Sequence, residues 1–404
     1  MTASREHRAQ KRARPQTPLA LVLGVFEALM NDPVHAYTLL QGLFDRGAIV
    51  YAMVCRDSLE TPLHVACRYQ TPAVIKLLLD KGSRIDVKDR LQVTPLFRTA
   101  TEGKAAACQL LLNYGADTTV RRANGEHVLD TAVRHHHLDV VKVLLNHGID
   151  INMRNGLGST ALYSAVVDPG YRSIGFRDVH DEEFVSHPSP RQLEIITLLL
   201  ENGIDIHARH TDGATVLFTA ASSGSVEIVQ ILLDHGADPN AIDDCYRKPL
   251  WTAVRQNSVA IVKVLLPLTK NIDDQVYNGH TCLTTAARWG HSQCVHLLLN
   301  AGAEIWSHKP GPQFLEPERR IHWYGLDALY WACVNDEEAN GDPVTRCILV
   351  AGAVRPPESI SEGVFAHYTE IWDRAWDHTD RRWRNFGNGL DVALRFPMEK
   401  RSMP

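Results

Sequence analysis

The sequence predicts an all-α fold, a solenoid of stacked helix pairs with a helical C-terminal extension. Three observations carry that prediction. A segment opening Thr61-Pro-Leu-His-Val-Ala recurs at a fixed spacing, an apolar stripe with helical periodicity runs through each recurrence, and a glycine closes each copy. Thr94, His127 and Thr160 follow Thr61 at 33-residue intervals. The frame then skips 55 residues to Thr215, one period plus 22, and resumes at Lys248 and Thr281; a degenerate copy starts at Asp327, one period plus 13 later. Catalytic residues do not recur in this way, whereas the side chains of a stacked structural unit do.

Each copy reads as turn, short helix, tight turn, longer helix, turn. Thr61 offers an oxygen to the free amides at a helix start, and Pro62 stands where no amide partner is needed. Leu63, Val65 and Ala66 are small or apolar and suit packing against a neighbouring helix. The tenth position holds Gln70, Gly103, His136, Gly224, Asn257 or Gly290. Gly, Asn and His best tolerate positive φ, so this position is expected to turn the chain between the helices. Val140, Val141, Leu144 and Leu145 give the stripe of a second helix. Gly82, Gly115, Gly148, Gly203, Gly236 and Gly302 then stand where a left-handed cap closes it. One such pair cannot cover its own stripe, but stacked pairs can. Each buried Leu contributes roughly 1.5–3 kcal/mol, so stability adds from neighbour to neighbour. Pro267 and Thr269, the latter in place of the closing glycine, predict a local irregularity between Lys248 and Asn278.

The period, Thr61–Ala66, "LLDHGADPNA" at Leu232–Ala241 and "GHSQCVHLLLNAGAE" at Gly290–Glu304 resemble the ankyrin-repeat family over about residues 45–355. The expected organisation is a basic disordered tail at 1–17 and an irregular capping repeat at 18–60, with Gly47 in the closing role. The array follows at 61–355, with insertions near 169–190 and 306–324, and then a Trp-rich helical cap or tail at 356–404. In the last of these, Phe365, Tyr368, Trp372 and Trp376 share helical spacing, as a terminal helix covering the last repeat or an aromatic docking helix would require.

The net charge of −5 gives no case for bulk nucleic-acid binding. Eight cysteines (Cys55, Cys67, Cys108, Cys245, Cys282, Cys294, Cys333 and Cys347) form no CxxC pair, and reduced thiols in a cytoplasmic or nuclear protein are expected. No stretch approaches membrane-spanning length. "KRARP" at Lys11–Pro15 precedes an apolar run, but Glu27 ends that run early, which argues against a secretion signal. The basic residues read as a solvated tail first and a nuclear-import signal second.

Searches for chemistry return little: no HExxH, no GxSxG elbow and no phosphate loop ending in GK[ST]. His135–His137 reads as a turn, because three consecutive side chains do not converge on one tetrahedral ion. "HDEE" at His180–Glu183 reads as a solvated loop. No cofactor or metal is expected.

The resemblance implies partner binding on the concave side, through turn tips and first-helix ends. Carried over by position, the eighth residues Arg68, Arg134, Arg255 and Arg288 belong there, with Thr101 and Ser222 as exceptions. Tyr69, His135, Gln256 and Trp289 stand beside them, and the tips supply Arg90, Leu91, Tyr246, Arg247, Tyr277 and His280. Arg and aromatic side chains anchor interfaces, and such a face suits an acidic peptide or helix. Arg at the eighth position is also common across the family. The insertion from Trp306 to Tyr324, rich in aromatic and basic residues, is expected to lengthen a tip beside this face.

The leading expectation is a monomeric, non-catalytic scaffold or adaptor for another protein, without direct nucleic-acid or membrane contact; its nuclear variant is a transcription co-regulator. A ubiquitin-ligase substrate adaptor is one alternative, although no recruiting helix is recognisable in residues 356–404. The other is an enzyme or ligand site built from the insertions and tail, which hold His180, Glu183, His322, Glu370 and Asp373.

Overall fold

The structure, a computed structural model, describes residues 24–25, 27–29, 33–48, 50, 58–167, 187–276 and 279–304. The basic tail, the first insertion up to residue 186, Tyr277, the second insertion, the copy at Asp327 and the Trp-rich C-terminal region lie outside the described residues. So do the five residues of the proposed ligand site. The described residues fall into two units, one running through Ala241 and one beginning at Ile242.

In unit 1, α1 (Pro33–Asp45) precedes four helix pairs. These are α2 (Pro62–Tyr69) with α3 (Pro72–Asp80), α4 (Pro95–Glu102) with α5 (Ala105–Asn113), α6 (Val128–Arg134) with α7 (Leu138–Asn146), and α8 (Ala161–Val166) with α9 (Pro190–Glu201). A fifth pair, α10 (Val216–Ser223) and α11 (Val226–Asp234), completes the unit. First helices pack in one row, α2 on α4, α4 on α6, α6 on α8 and α8 on α10. Second helices pack in another, α1 on α3, α3 on α5, α5 on α7 and α7 on α9. The first insertion falls between α8 and α9, and Ser189 restarts the helix by accepting from Gln192 N–H at 3.2 Å. Unit 2 contains α12 (Pro249–Arg255), α13 (Val259–Leu265), α14 (Cys282–Arg288) and α15 (Ser292–Asn300), with α12 on α14 and α13 on α15.

The leucines of the second helices supply the core. Leu78, Leu111, Leu144, Leu199, Leu232 and Leu298 are all fully buried. Each closing glycine takes the left-handed conformation, from Gly203 at φ 79° to Gly236 at φ 89°, and Gly47 does the same at φ 86° after α1. The irregularity at Pro267 is present: α13 stops at Leu265, a 3₁₀ turn covers Leu266–Leu268, and Thr269 is extended at φ −82°.

At the tenth position Gly103, His136, Gly224, Asn257 and Gly290 all have positive φ. Gln70 corrects the expectation. It is extended at φ −107°, because its side chain is buried and Nε2 donates to Leu29 O at 2.5 Å, which ties α2 to the preceding segment.

Buried histidines join copy to copy. His64 Nδ1 lies 3.1 Å from Thr61 N and 2.8 Å from Thr61 Oγ1, and Nε2 is 2.9 Å from Val93 O. The backbone N–H fixes Nδ1 as acceptor and the carbonyl fixes Nε2 as donor, so the imidazole is neutral. The Thr-Pro-Leu-His motif is therefore a staple to the next copy. Farther along two other copies, the half-buried His137 Nε2 reaches back to Thr101 O at 3.0 Å, and His291 Nε2 reaches Arg255 O at 3.3 Å. In the third copy His127 occupies the opening position, with Nε2 3.0 Å from Met153 O and 3.1 Å from Asp130 Oδ2. Burial pushes the His127 pKa down and that of Asp130 up, which favours the neutral forms of both.

The turn tips show one more regularity. The residue two places before each opening is left-handed: Leu59, Gln92, Gly125, Gly158, Gly213, Tyr246 and Gly279, with φ from 57° to 80°. Gly125 is required twice over, since a Cβ there would lie 2.5 Å from Gly156 N. Gly125→Ala is expected to lower unfolding stability by about 2 kcal/mol, as a shift in urea midpoint would show; an unchanged midpoint would contradict this packing.

Candidate functional site

The predicted face is described unit by unit. In unit 1 the arginines sit among carboxylates of the same chain. Arg68 ends α2 with Nη2 3.0 Å from Glu60 Oε1 and Nε 3.6 Å from Glu102, and its guanidinium lies 5.5 Å from the centre of the Tyr69 ring. Arg98 Nη2 reaches Glu60 at 2.8 Å and Asp89 at 3.0 Å. Arg134 pairs with the nearly buried Glu126, which Arg122 also meets at 3.3 Å. The positive charge predicted of this face is thus balanced locally. Tyr69 and Leu91 are exposed, at 50% and 68%, as are the tip residues Leu59 and Leu157, and Arg90 is exposed beside Leu91. His135 and His137 stack with centroids 6.0 Å apart while His136 makes the turn. Among the described residues no group of three or more His, Cys, Asp or Glu side chains forms a metal-holding cluster.

Unit 2 is built differently. Trp251 and Arg255 stand four residues apart on α12 and so share a face. The Arg247 guanidinium lies 5.5 Å from the Trp251 ring centre, and the Arg255 guanidinium lies 5.8 Å from Trp251 and 4.7 Å from Trp289. The result is an alternating ladder, Arg247–Trp251–Arg255–Trp289. Trp251 is pinned by Nε1 donating to Thr285 Oγ1 at 2.9 Å, and Arg247 by Asp243, whose Oδ2 is 2.6 Å from both Nε and Nη2. Arg288 is exposed at the end of α14 with Nη1 3.3 Å from His280 Nε2. His280, expected at an exposed tip, is instead 7% exposed. Its pKa is lowered to about 4 by burial, with Arg288 adding to the shift. Arg255 and Arg288 each end a first helix, where the helix dipole favours a cation.

Two features escaped the sequence reading. Trp251 occupies the packing position that His64 holds in the first copy, where nothing in the sequence marks a second contact. The tip arginines Arg121, Arg154 and Arg209 form a spine: Arg121 donates to Gly125 O and Arg154 O, Arg154 to Gly158 O and Arg209 O, and Arg209 to Gly213 O. Their signal was their common place, six residues before each opening.

The family model described as "Ankyrin repeats (3 copies)" matches residues 34–122, 63–155, 96–174, 188–276 and 236–309, well over half of the chain. The chain belongs to the ankyrin-repeat family. Among curated relatives of this ankyrin-repeat chain, the human SH3 and multiple ankyrin repeat domains protein 2 is 32% identical over 149 residues, 37% of this chain and 8% of that protein. The mouse ankyrin repeat and SOCS box protein 11 is 40% identical over 75 residues, 19% of this chain and 23% of that protein. The matches therefore span less than a quarter of the length of either relative. Of solved structures, the ankyrin repeat domain of Bcl-3, titled a unique member of the IkappaB protein family, is 23% identical with a TM-score of 0.45; the match covers 58% of this chain and 92% of that one. Ankyrin repeats are protein–protein interaction modules, and among the described residues no helix is long and apolar enough to cross a membrane.

Proposed function

We propose that the chain is a non-catalytic interaction protein that holds a protein partner against the ends of its first helices, with the Arg–Trp face of unit 2 as the principal contact. One observation carries this reading: Arg255 stands between Trp251 and Trp289 on a partly exposed face. Arg and Trp are the residue types that most often dominate interface energetics, and guanidinium–indole stacking limits the side-chain freedom lost on binding. Paired capture from cells tests it. The Arg288→Ala/Trp289→Ala double variant is expected to lose at least about tenfold in partner recovery. Identical recovery by both forms would remove the reading.

The finer roles follow from less. The basic run at Lys11–Pro15 supports a nuclear co-regulator; deleting residues 1–16 should then shift a tagged protein toward the cytoplasm, and an unchanged distribution would end that version. A ubiquitin-ligase adaptor is the second reading, favoured by the similarity to a protein named for a SOCS box. It requires that deleting residues 356–404 abolish ligase recovery while sparing partner recovery.

A further inference from the structure

The helix α9 starts unlike the other second helices. It has 12 residues, whereas α3, α5, α7, α11 and α15 have 9 each and α13 has 7. Gln192 stands as far before the buried Leu199 as His137 stands before Leu144, and it is itself buried, with Nε2 donating to Ala165 O at 2.8 Å. Packing into the array therefore begins at Gln192. Ser189, Pro190 and Arg191 precede it as an added, exposed start to the helix. Ser189 is extended at φ −68° and ψ 149°, a polyproline-like conformation that the following proline enforces.

Five hydroxyl residues of the chain stand directly before a proline: Thr17, Thr61, Thr71, Thr94 and Ser189. Thr17 lies outside the described residues. Thr61 and Thr94 are buried. Thr71 is exposed but is held in the short link between the end of α2 at Tyr69 and the start of α3 at Pro72. Ser189 alone among the described four joins exposure to an extended approach, because His187 and Pro188 before it are non-helical and His187 is exposed as well.

Independently of the interaction reading above, we propose that Ser189 is a phosphoacceptor for a proline-directed protein kinase and that its phosphate strengthens the start of α9. An acceptor in exposed, extended chain enters another protein's cleft without unfolding the array. A kinase pocket that gives no partner to the backbone N–H after the acceptor selects proline, which has no such group to bury. In the transfer, Ser189 Oγ forms a bond to the γ-phosphorus of ATP as the bond to ADP breaks, and the hydroxyl proton passes to the kinase's catalytic base. The product carries about −1.5 to −2 charges at pH 7. Ser189 Oγ already accepts Gln192 N–H at 3.2 Å, and Arg191 is exposed in the same turn. The new charge thus meets first-turn amides, the positive end of the helix dipole and a guanidinium.

The test incubates the full chain with ATP and a purified mitogen-activated protein kinase and maps phosphate peptide by peptide, so that Thr17 and Thr71 are read separately. Ser189 is expected to be modified. Ser189→Asn keeps a capping side chain but has no acceptor hydroxyl, so it should lose that phosphate while holding its melting temperature. Pro190→Ala keeps the hydroxyl but restores a backbone N–H, and it should slow modification of Ser189 about tenfold. Hydrogen–deuterium exchange in the first turn of α9 should slow about two- to fivefold once the phosphate is present. An unmodified Ser189, equal rates in Pro190→Ala, or unchanged or faster exchange in α9 after modification would each overturn the proposal.

Discussion

Leu298→Arg is expected to unfold unit 2. Leu298 lies in α15 with no exposed surface, and α15 packs on α13, so an arginine there places an unpaired charge among apolar side chains. Such burial costs about 3–5 kcal/mol, a large share of the stability of any array whose copies gain from their neighbours. Urea unfolding followed through intrinsic tryptophan fluorescence should show an early transition or none. Arg288→Ala/Trp289→Ala provides the contrast. It removes a partly exposed stack and a helix-end cation, which together contribute about 1 kcal/mol, so its midpoint should move little. Equal losses in the two variants would mean that Arg288 and Trp289 are packing residues.

Acid should weaken unit 2 through His280. Its pKa is lowered from the ordinary 6.5 to about 4 in the folded chain, so between those values the unfolded state binds more protons than the folded state. Stability is then fully present above pH 6.5, falls as pH is lowered through the window, and stops falling from this source below about 4. The full window corresponds to about 3 kcal/mol for this one group. The cause is burial first and the nearby Arg288 guanidinium second, so a proton on His280 would be both poorly solvated and repelled. His280→Asn should flatten the dependence of the urea midpoint on pH over this range. An equally steep profile in that variant would assign the acid sensitivity to other groups.

The sequence displayed the parts of the fold that repeat. The period located the openings, the closing glycines appear with the left-handed backbone that they were read to have, and Pro267 with Thr269 marks the shortened second helix α13. A position's exceptions were harder to see, because they depend on neighbours distant in the chain. Gln70 departs from its copies because a side-chain amide finds Leu29 O, 41 residues away. The charge of the unit 1 face was misjudged for a related reason: Arg98 meets Glu60 from 38 residues away, and Arg68 meets Glu102 across the copy boundary. A list of arginines at the eighth position contains none of that pairing. Trp251 was hidden by its frame, since the fourth position of a copy ordinarily faces the next copy. There it still does so through Thr285, while its ring also supports two arginines. Tyr246 was legible as a tip residue, but the left-handed conformation it shares with Leu59 and Gln92 exists only in the backbone angles.

Hydrogen–deuterium exchange of the full chain, with and without a partner recovered by capture, is the most direct test of the claim that stacked helix pairs leave an Arg–Trp face for another protein. The account predicts slowed exchange on binding at residues 246–256 and 280–290, with the second helices α13 and α15 unchanged. Slowing confined to α13 and α15, or none in unit 2, would contradict it.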